Sequence, residues 1–83
     1  MNEVLVKLYV PTIGEQYDVW LPVNKKIHTI ITLLVRSVNE LTKGYYLPNK
    51  MPYLYDKETV KAFDINLKVI ETGIRNGSEL ILI

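Results

Sequence analysis

The stretch Ile27-His28-Thr29-Ile30-Ile31-Thr32-Leu33-Leu34-Val35-Arg36-Ser37-Val38-Asn39-Glu40-Leu41 decides the fold. Within it Ile27, Ile30, Ile31, Leu34, Val35, Val38 and Leu41 recur at spacings of three and four, which at ~100° per residue fill an arc of about 140°. This predicts one amphipathic helix with one face to bury. Asn24 is the expected N-cap, and Lys43-Gly44 suits the far end, where glycine accepts a left-handed conformation and lysine meets the negative end of the dipole. Lys25 and Lys26 sit less comfortably at the positive end. His28, Arg36, Asn39 and Glu40 interrupt the run, which therefore falls short of the ~20 apolar residues of a membrane span.

On the N-terminal side the period is two. Glu3 to Val10 sets Val4, Val6, Leu8 and Val10 on one face and Glu3, Leu5, Lys7 and Tyr9 on the other. Pro11 ends that strand, Thr12-Ile13-Gly14-Glu15 reads as a turn, and Gln16 to Leu21 repeats the pattern with Tyr17, Val19 and Leu21 inward and Asp18 and Trp20 outward. An antiparallel hairpin follows, stopped by Pro22.

Beyond the helix, Tyr45 to Pro52 reads as a loop. Tyr53-Leu54-Tyr55 is a short strand with Tyr53 and Tyr55 inward and Leu54 outward, and Val60 to Ala62 is a shorter one. Asp64 to Gly73 has room for one 3₁₀ turn. Asn76-Gly77 is the strongest turn signal in the chain, and Glu79 to Ile83 is the last strand. Its four apolar residues favour a central place parallel to the first strand. The expected architecture is α+β: a four- to five-stranded mixed sheet wrapped around one α-helix, forming a single domain over residues 1–83.

Composition narrows the function. The 83 residues are 48% hydrophobic and 23% charged, with ten Lys and Arg against nine Asp and Glu. Such a chain folds, and its net charge of +1 does not advertise nucleic acid or an anionic membrane as a partner. The N-terminus lacks the pattern of a secretory leader, so a cytoplasmic protein is expected. There is no cysteine, which removes disulfides, thiolate metal sites and thiol nucleophiles together.

The order of elements, with Gly14 through Ile27, Tyr53-Leu54-Tyr55 and the closing Gly73-Ile74-Arg75-Asn76-Gly77-Ser78-Glu79-Leu80-Ile81-Leu82-Ile83, resembles the ubiquitin-like β-grasp. That ending, and Leu21-Pro22-Val23 leading to Ile27, is similar to the EsaB/YukD family. These are small ubiquitin-like proteins encoded with the type VII (WXG100) secretion system of Gram-positive bacteria. The resemblance implies a non-enzymatic, cytosolic accessory subunit that docks to other cytosolic parts of the secretion machine, with its FtsK/SpoIIIE-type ATPase the first candidate, and recruitment to the inner face of the membrane through such partners. It also implies a likeness to the ubiquitin-like domain fused to a membrane component of the actinobacterial apparatus.

Chemistry finds few residues to work with. Conjugation or sulfur transfer needs a flexible Gly-Gly tail, and the sequence closes instead on β-branched Ile83 within the last strand, so neither is expected. His28, the one histidine, lies at the edge of the apolar stripe without the companions that a metal site or a general base needs. Ser37 and Ser78 have no His/Asp partners, and the glycines are isolated in turns and form no phosphate loop. No catalytic residue, cofactor or metal is expected. Lys7, Lys25, Lys26, Lys61 and Lys68 with Tyr9, Tyr45 and Tyr46 have the residue types of a nucleic-acid track, but interspersed acidic residues dilute that field.

What remains is the sheet face turned away from the helix. Alternation places Leu5, Lys7, Asp18, Trp20, Leu54, Ile81 and Ile83 there, with Leu5, Leu54, Ile81 and Ile83 as neighbours, more contiguous apolar surface than isolated exposure explains. Leu5, Lys7, Trp20, Leu54, Ile81 and Ile83 are therefore the expected protein-binding residues. A second copy of the chain is the other occupant to consider. A tail-less carrier or modifier, and a protein–protein regulator unrelated to secretion, are the alternative functions.

Overall fold

A computed structural model describes residues 2–83; Met1, which opens the segment read as lacking a leader, lies outside them. Strand β1 (Glu3–Val10) and strand β2 (Glu15–Pro22) form the antiparallel hairpin, running from Glu3 opposite Pro22 to Val10 opposite Glu15. The connection is tighter than a simple turn. Pro11–Ile13 makes one 3₁₀ turn, and Gly14 at φ 64° donates its N–H to the Pro11 carbonyl. Pro22 closes the second strand from inside it, since Glu3 still pairs with it.

Helix α1 spans Ile27–Leu41. Ile27, Ile30, Ile31, Leu34 and Val38 are buried as the stripe requires, and Val35 packs at its margin. Leu41, the last residue of the helix, departs from the expectation and is 60% exposed. The N-cap also differs. Lys26, not Asn24, precedes the first turn, and no side chain caps it. Backbone carbonyls do that work: Ile27 N–H donates to Leu67 O at 2.8 Å and His28 N–H to Ile65 O at 3.1 Å. Two of the orphan donors of the helix start are thus satisfied by a distant segment, which is why Lys25 and Lys26 are tolerated at the positive end. The same segment carries the 3₁₀ turn Val69–Glu71, with Val69 fully buried and its N–H on the Lys25 carbonyl.

Strand β3 (Leu54–Asp56) pairs antiparallel with β4 (Lys61–Ala62) on one side and with β5 (Glu79–Leu82) on the other. Strand β5 lies parallel to β1, so the sheet order is β2-β1-β5-β3-β4. This is the expected mixed sheet, with five strands and the last element of the chain at its centre. Val60, expected in the fourth strand, sits outside it at φ 57°, in the turn that reverses the chain.

The core fills the space between α1 and the inner sheet face. Val4, Val6, Leu8 and Val10 of β1, Leu80 and Leu82 of β5 and the helix stripe meet there, with no polar or charged side chain buried among the described residues. The topology is that of the ubiquitin-like β-grasp.

Candidate functional site

The outer sheet face divides into rows fixed by strand register. Tyr9 lies opposite Gln16 and Ile81, and Ile81 lies opposite Tyr55, which faces Ala62. Side chains directly opposite share a face, so Gln16, Tyr9, Ile81, Tyr55 and Ala62 cross all five strands in one line. Towards the start of β1 the next row is charged: Asp18, Lys7 and Glu79. Lys7 Nζ stands 3.8 Å from Asp18 Oδ1, both exposed, a pair that contributes at most about 1 kcal/mol. Beyond it Leu5 faces Trp20, which is 58% exposed. Lys57 reaches across the face to place its Nζ 4.0 Å from the centroid of the Tyr9 ring, a cation–π contact.

The expected site residues are therefore not one patch. Leu5 and Trp20 are together at one end, Lys7 is in the charged row, and Ile81 is at the centre. Ile83 is at the opposite end, bonded through both backbone groups to Tyr53. Leu54 is a correction: it is 1% exposed and points into the core. Its partner across the ladder is Leu82, itself buried, and a residue opposite an inward side chain must also point inward. Tyr53 and Tyr55, expected inside, are outside, with Tyr53 60% exposed and Tyr55 half-buried. Their rings meet edge to face at 6.3 Å between centroids. Burying one leucine leaves no polar atom to satisfy, whereas burying two phenols would require two hydroxyl partners.

Tyr9, which alternation places on the outer face, and Tyr53 and Tyr55, which it places inside, are surface residues absent from the expected binding set. The outward phase of Tyr55 in β3 and of Tyr53 just before it follows from the register with β5. At this end the sheet face runs into a groove of about 580 Å³, between the Pro11–Ile13 turn and the loop of residues 45–53. Loop and groove are held firmly. Tyr46 is buried, its N–H donates to Thr42 Oγ1 at 2.9 Å, and its carbonyl accepts from Asn39 Nδ2 at 2.8 Å. Burial also raises the Tyr46 phenol above its ordinary pKa.

No group of three or more His, Asp or Glu is disposed around a metal position, and no helix is long and apolar enough to cross a membrane, among the described residues. His28 is exposed, with Nδ1 3.4 Å from the neighbouring Thr29 hydroxyl and no carboxylate beside it. A second hollow of about 290 Å³ is lined by Asp56, Glu58, Phe63 and residues 72–80.

No protein-family model matches the chain, and neither does any curated relative. Its structure is similar to the ubiquitin-like domain of EccD5 from Mycobacterium xenopi, at a TM-score of 0.81 and 20% identity over 100% of this chain and 94% of that one. It is similar to the ubiquitin-like domain of the Mycobacterium tuberculosis type VII secretion system protein ECCD1, at 0.78 and 16% identity over 100% and 99%. A chain of the MycP5-free ESX-5 inner membrane complex matches at 0.80 and 18% identity. This chain spans about a fifth of that one, 21% of its length. At such identities the likeness establishes the fold.

Proposed function

We propose that the protein is a non-enzymatic ubiquitin-like adaptor of a bacterial type VII secretion system, acting on the cytosolic side by stoichiometric contacts with other components and not by conjugation. The observation that carries this reading is the apolar line Tyr9, Ile81 and Tyr55 across the centre of the sheet face that the helix leaves uncovered. The similarity to EccD ubiquitin-like domains supports the secretion setting, and the EsaB/YukD resemblance supports the FtsK/SpoIIIE-type ATPase as first partner. A standard interface of about 800 Å² per partner would take roughly a seventh of the 5534 Å² surface.

The test is co-purification with the cytosolic parts of the cognate secretion machine, followed by titration with the component retained. Tyr55→Thr and Ile81→Thr place a β-branched, strand-favouring residue at each position while removing the apolar row. Affinity should fall at least about tenfold, the effect of 1.4 kcal/mol, with the circular dichroism spectrum unchanged. Failure of the wild-type protein to bind any component, or full affinity in both variants, would remove the reading.

A further inference from the structure

We propose that the open edge of β2 is a self-association surface, at which two copies of the chain pair antiparallel about a two-fold axis through Val19. Strand β2 stands at the end of the sheet order, with no strand beyond it. Lys7 sends its N–H towards β5, to Ser78 O, so its opposite number Asp18 is not bonded to it across the hairpin. Val23, at odd spacing from Asp18, donates the other way, to Asn2 O. Alternation therefore turns the N–H and C=O groups of Gln16, Asp18 and Trp20 outwards, while Tyr17, Val19 and Leu21 bond β1.

The two edges of the sheet are finished differently. Strand β4 is only Lys61–Ala62, short and charged, which offers a second chain little to pair with. Strand β2 has 8 residues, carries no lysine and runs beside β1 without a bulge. Only Pro22, its last residue, lacks an outward donor. An edge this long and regular is a template for another strand. On its inner side Tyr17 and Val19 stay half-buried at the flank of the core, and on its outer side Trp20 is 58% exposed.

Register selects a second copy as the occupant. Two antiparallel self-pairings overlap most of the strand with the outward groups in phase. Centring on Asp18 sets that carboxylate against its own copy and Glu15 against buried Leu21, both unfavourable. Centring on Val19 pairs residues 16–22 with themselves: Val19 faces Val19 and Tyr17 faces Leu21 on the inner side. On the outer side Asp18 faces Trp20, and the two Trp20 rings lie diagonally within aromatic reach. Asp18 and Trp20 exchange both backbone bonds, and the Gln16 N–H meets the Pro22 carbonyl, which needs no donor from the proline. No like charges oppose each other, so the strand is its own complement, as an isologous contact requires. The row Tyr9, Ile81 and Tyr55 lies on other strands and stays open, twice over on one side of a continuous sheet.

The experiment is sedimentation equilibrium over a concentration series, with a nuclear magnetic resonance dilution series to locate the contact. A reversible dimer with a Kd on the order of 100 μM is expected, since a contact one strand wide belongs to the small class below about 1,200 Å². The amides of Gln16, Asp18 and Trp20 should shift on dilution, and those of β3 should not. Trp20→Glu, at an exposed position, sets a carboxylate against Asp18 and should weaken the dimer at least about tenfold, with an unchanged circular dichroism spectrum. Adding Asp18→Lys should restore it; in the pairing centred on Asp18 the same double variant would set two lysines face to face and restore nothing. Asp18→Pro removes one outward N–H without touching the ladder to β1 and should also dissociate the pair. Any of four results overturns the proposal: a monomer persisting at about ten times that Kd, dilution shifts on α1 or β3 instead of β2, no rescue by the double variant, or a β2 edge that pairs only with an added extended segment of another protein. No secretion component is needed for the wild-type result, so failure here leaves the adaptor reading intact, and failure of that reading leaves this one to stand.

Discussion

Asn76 Oδ1 accepts the backbone N–H of Leu5 at 2.8 Å, across 71 positions of sequence. The next residue completes the exchange, as Gly77 N–H donates to the Leu5 carbonyl at 2.8 Å. The parallel ladder between β1 and β5 begins only at Lys7, whose N–H meets Ser78 O. The turn therefore serves as the missing strand partner of Leu5, with the Asn76 side chain as acceptor and the Gly77 N–H as donor, and Gly77 adopts the left-handed φ of 88° that favours glycine.

Replacing Asn76 by alanine should cost about 0.5–1.5 kcal/mol, because the exposed Leu5 donor exchanges its acceptor for water. Asn76→Asp keeps an acceptor oxygen in place and should retain a good part of that stability. Urea denaturation of the three proteins checks this ordering.

The phase of β3 gives a sharper contrast between adjacent residues. Leu54→Ala should destabilise by about 2–5 kcal/mol through the cavity it leaves. Tyr53→Ser, on the outer face, should cost about 1 kcal/mol or less. A larger loss at Tyr53 than at Leu54 would show that the strand faces the other way.

These two residues also show where the sequence stops being informative. The stripe of α1 and the eight-residue alternation of β1 each offer several repeats, so both phases were legible in advance, as was the central place of β5. Three residues of β3 admit either phase, and only pairing with Leu82 chooses between them. The same lack of local signal hid the helix cap, which comes from the carbonyls of Ile65 and Leu67. In the candidate site, Leu5, Lys7, Trp20, Ile81 and Ile83 reach the outer surface as read. Their division by the Asp18–Lys7–Glu79 row depends on register, and the groove depends on a loop whose apolar residues carry no period.

Thr42 ties that loop to the helix: its hydroxyl donates to the Val38 carbonyl at 2.8 Å and accepts the Tyr46 N–H. Thr42→Val keeps the shape and removes both bonds, leaving the Tyr46 donor without its acceptor. Stability should fall by about 1–3 kcal/mol, and amide exchange from Tyr45 to Met51 should accelerate more than exchange in β1.

Tyr46 makes stability depend on alkaline pH. Burial holds its folded-state pKa above 10.0, the value it takes when unfolded. Above that value the unfolded chain has released a proton that the folded one retains, so stability declines as pH rises through and beyond 10. Below it the residue is neutral in both states and the contribution is fully present. Tyr46→Phe should show a shallower decline than the wild-type protein in denaturation at pH 8 to 11.

Hydrogen–deuterium exchange of the protein alone and bound to the secretion component that it co-purifies with tests most directly the claim that the uncovered sheet face does the work. Protection should concentrate on the amides of β3 and β5 around Tyr55 and Ile81. Protection confined to α1 or to the outer edge of β2, with β3 and β5 unchanged, would contradict it.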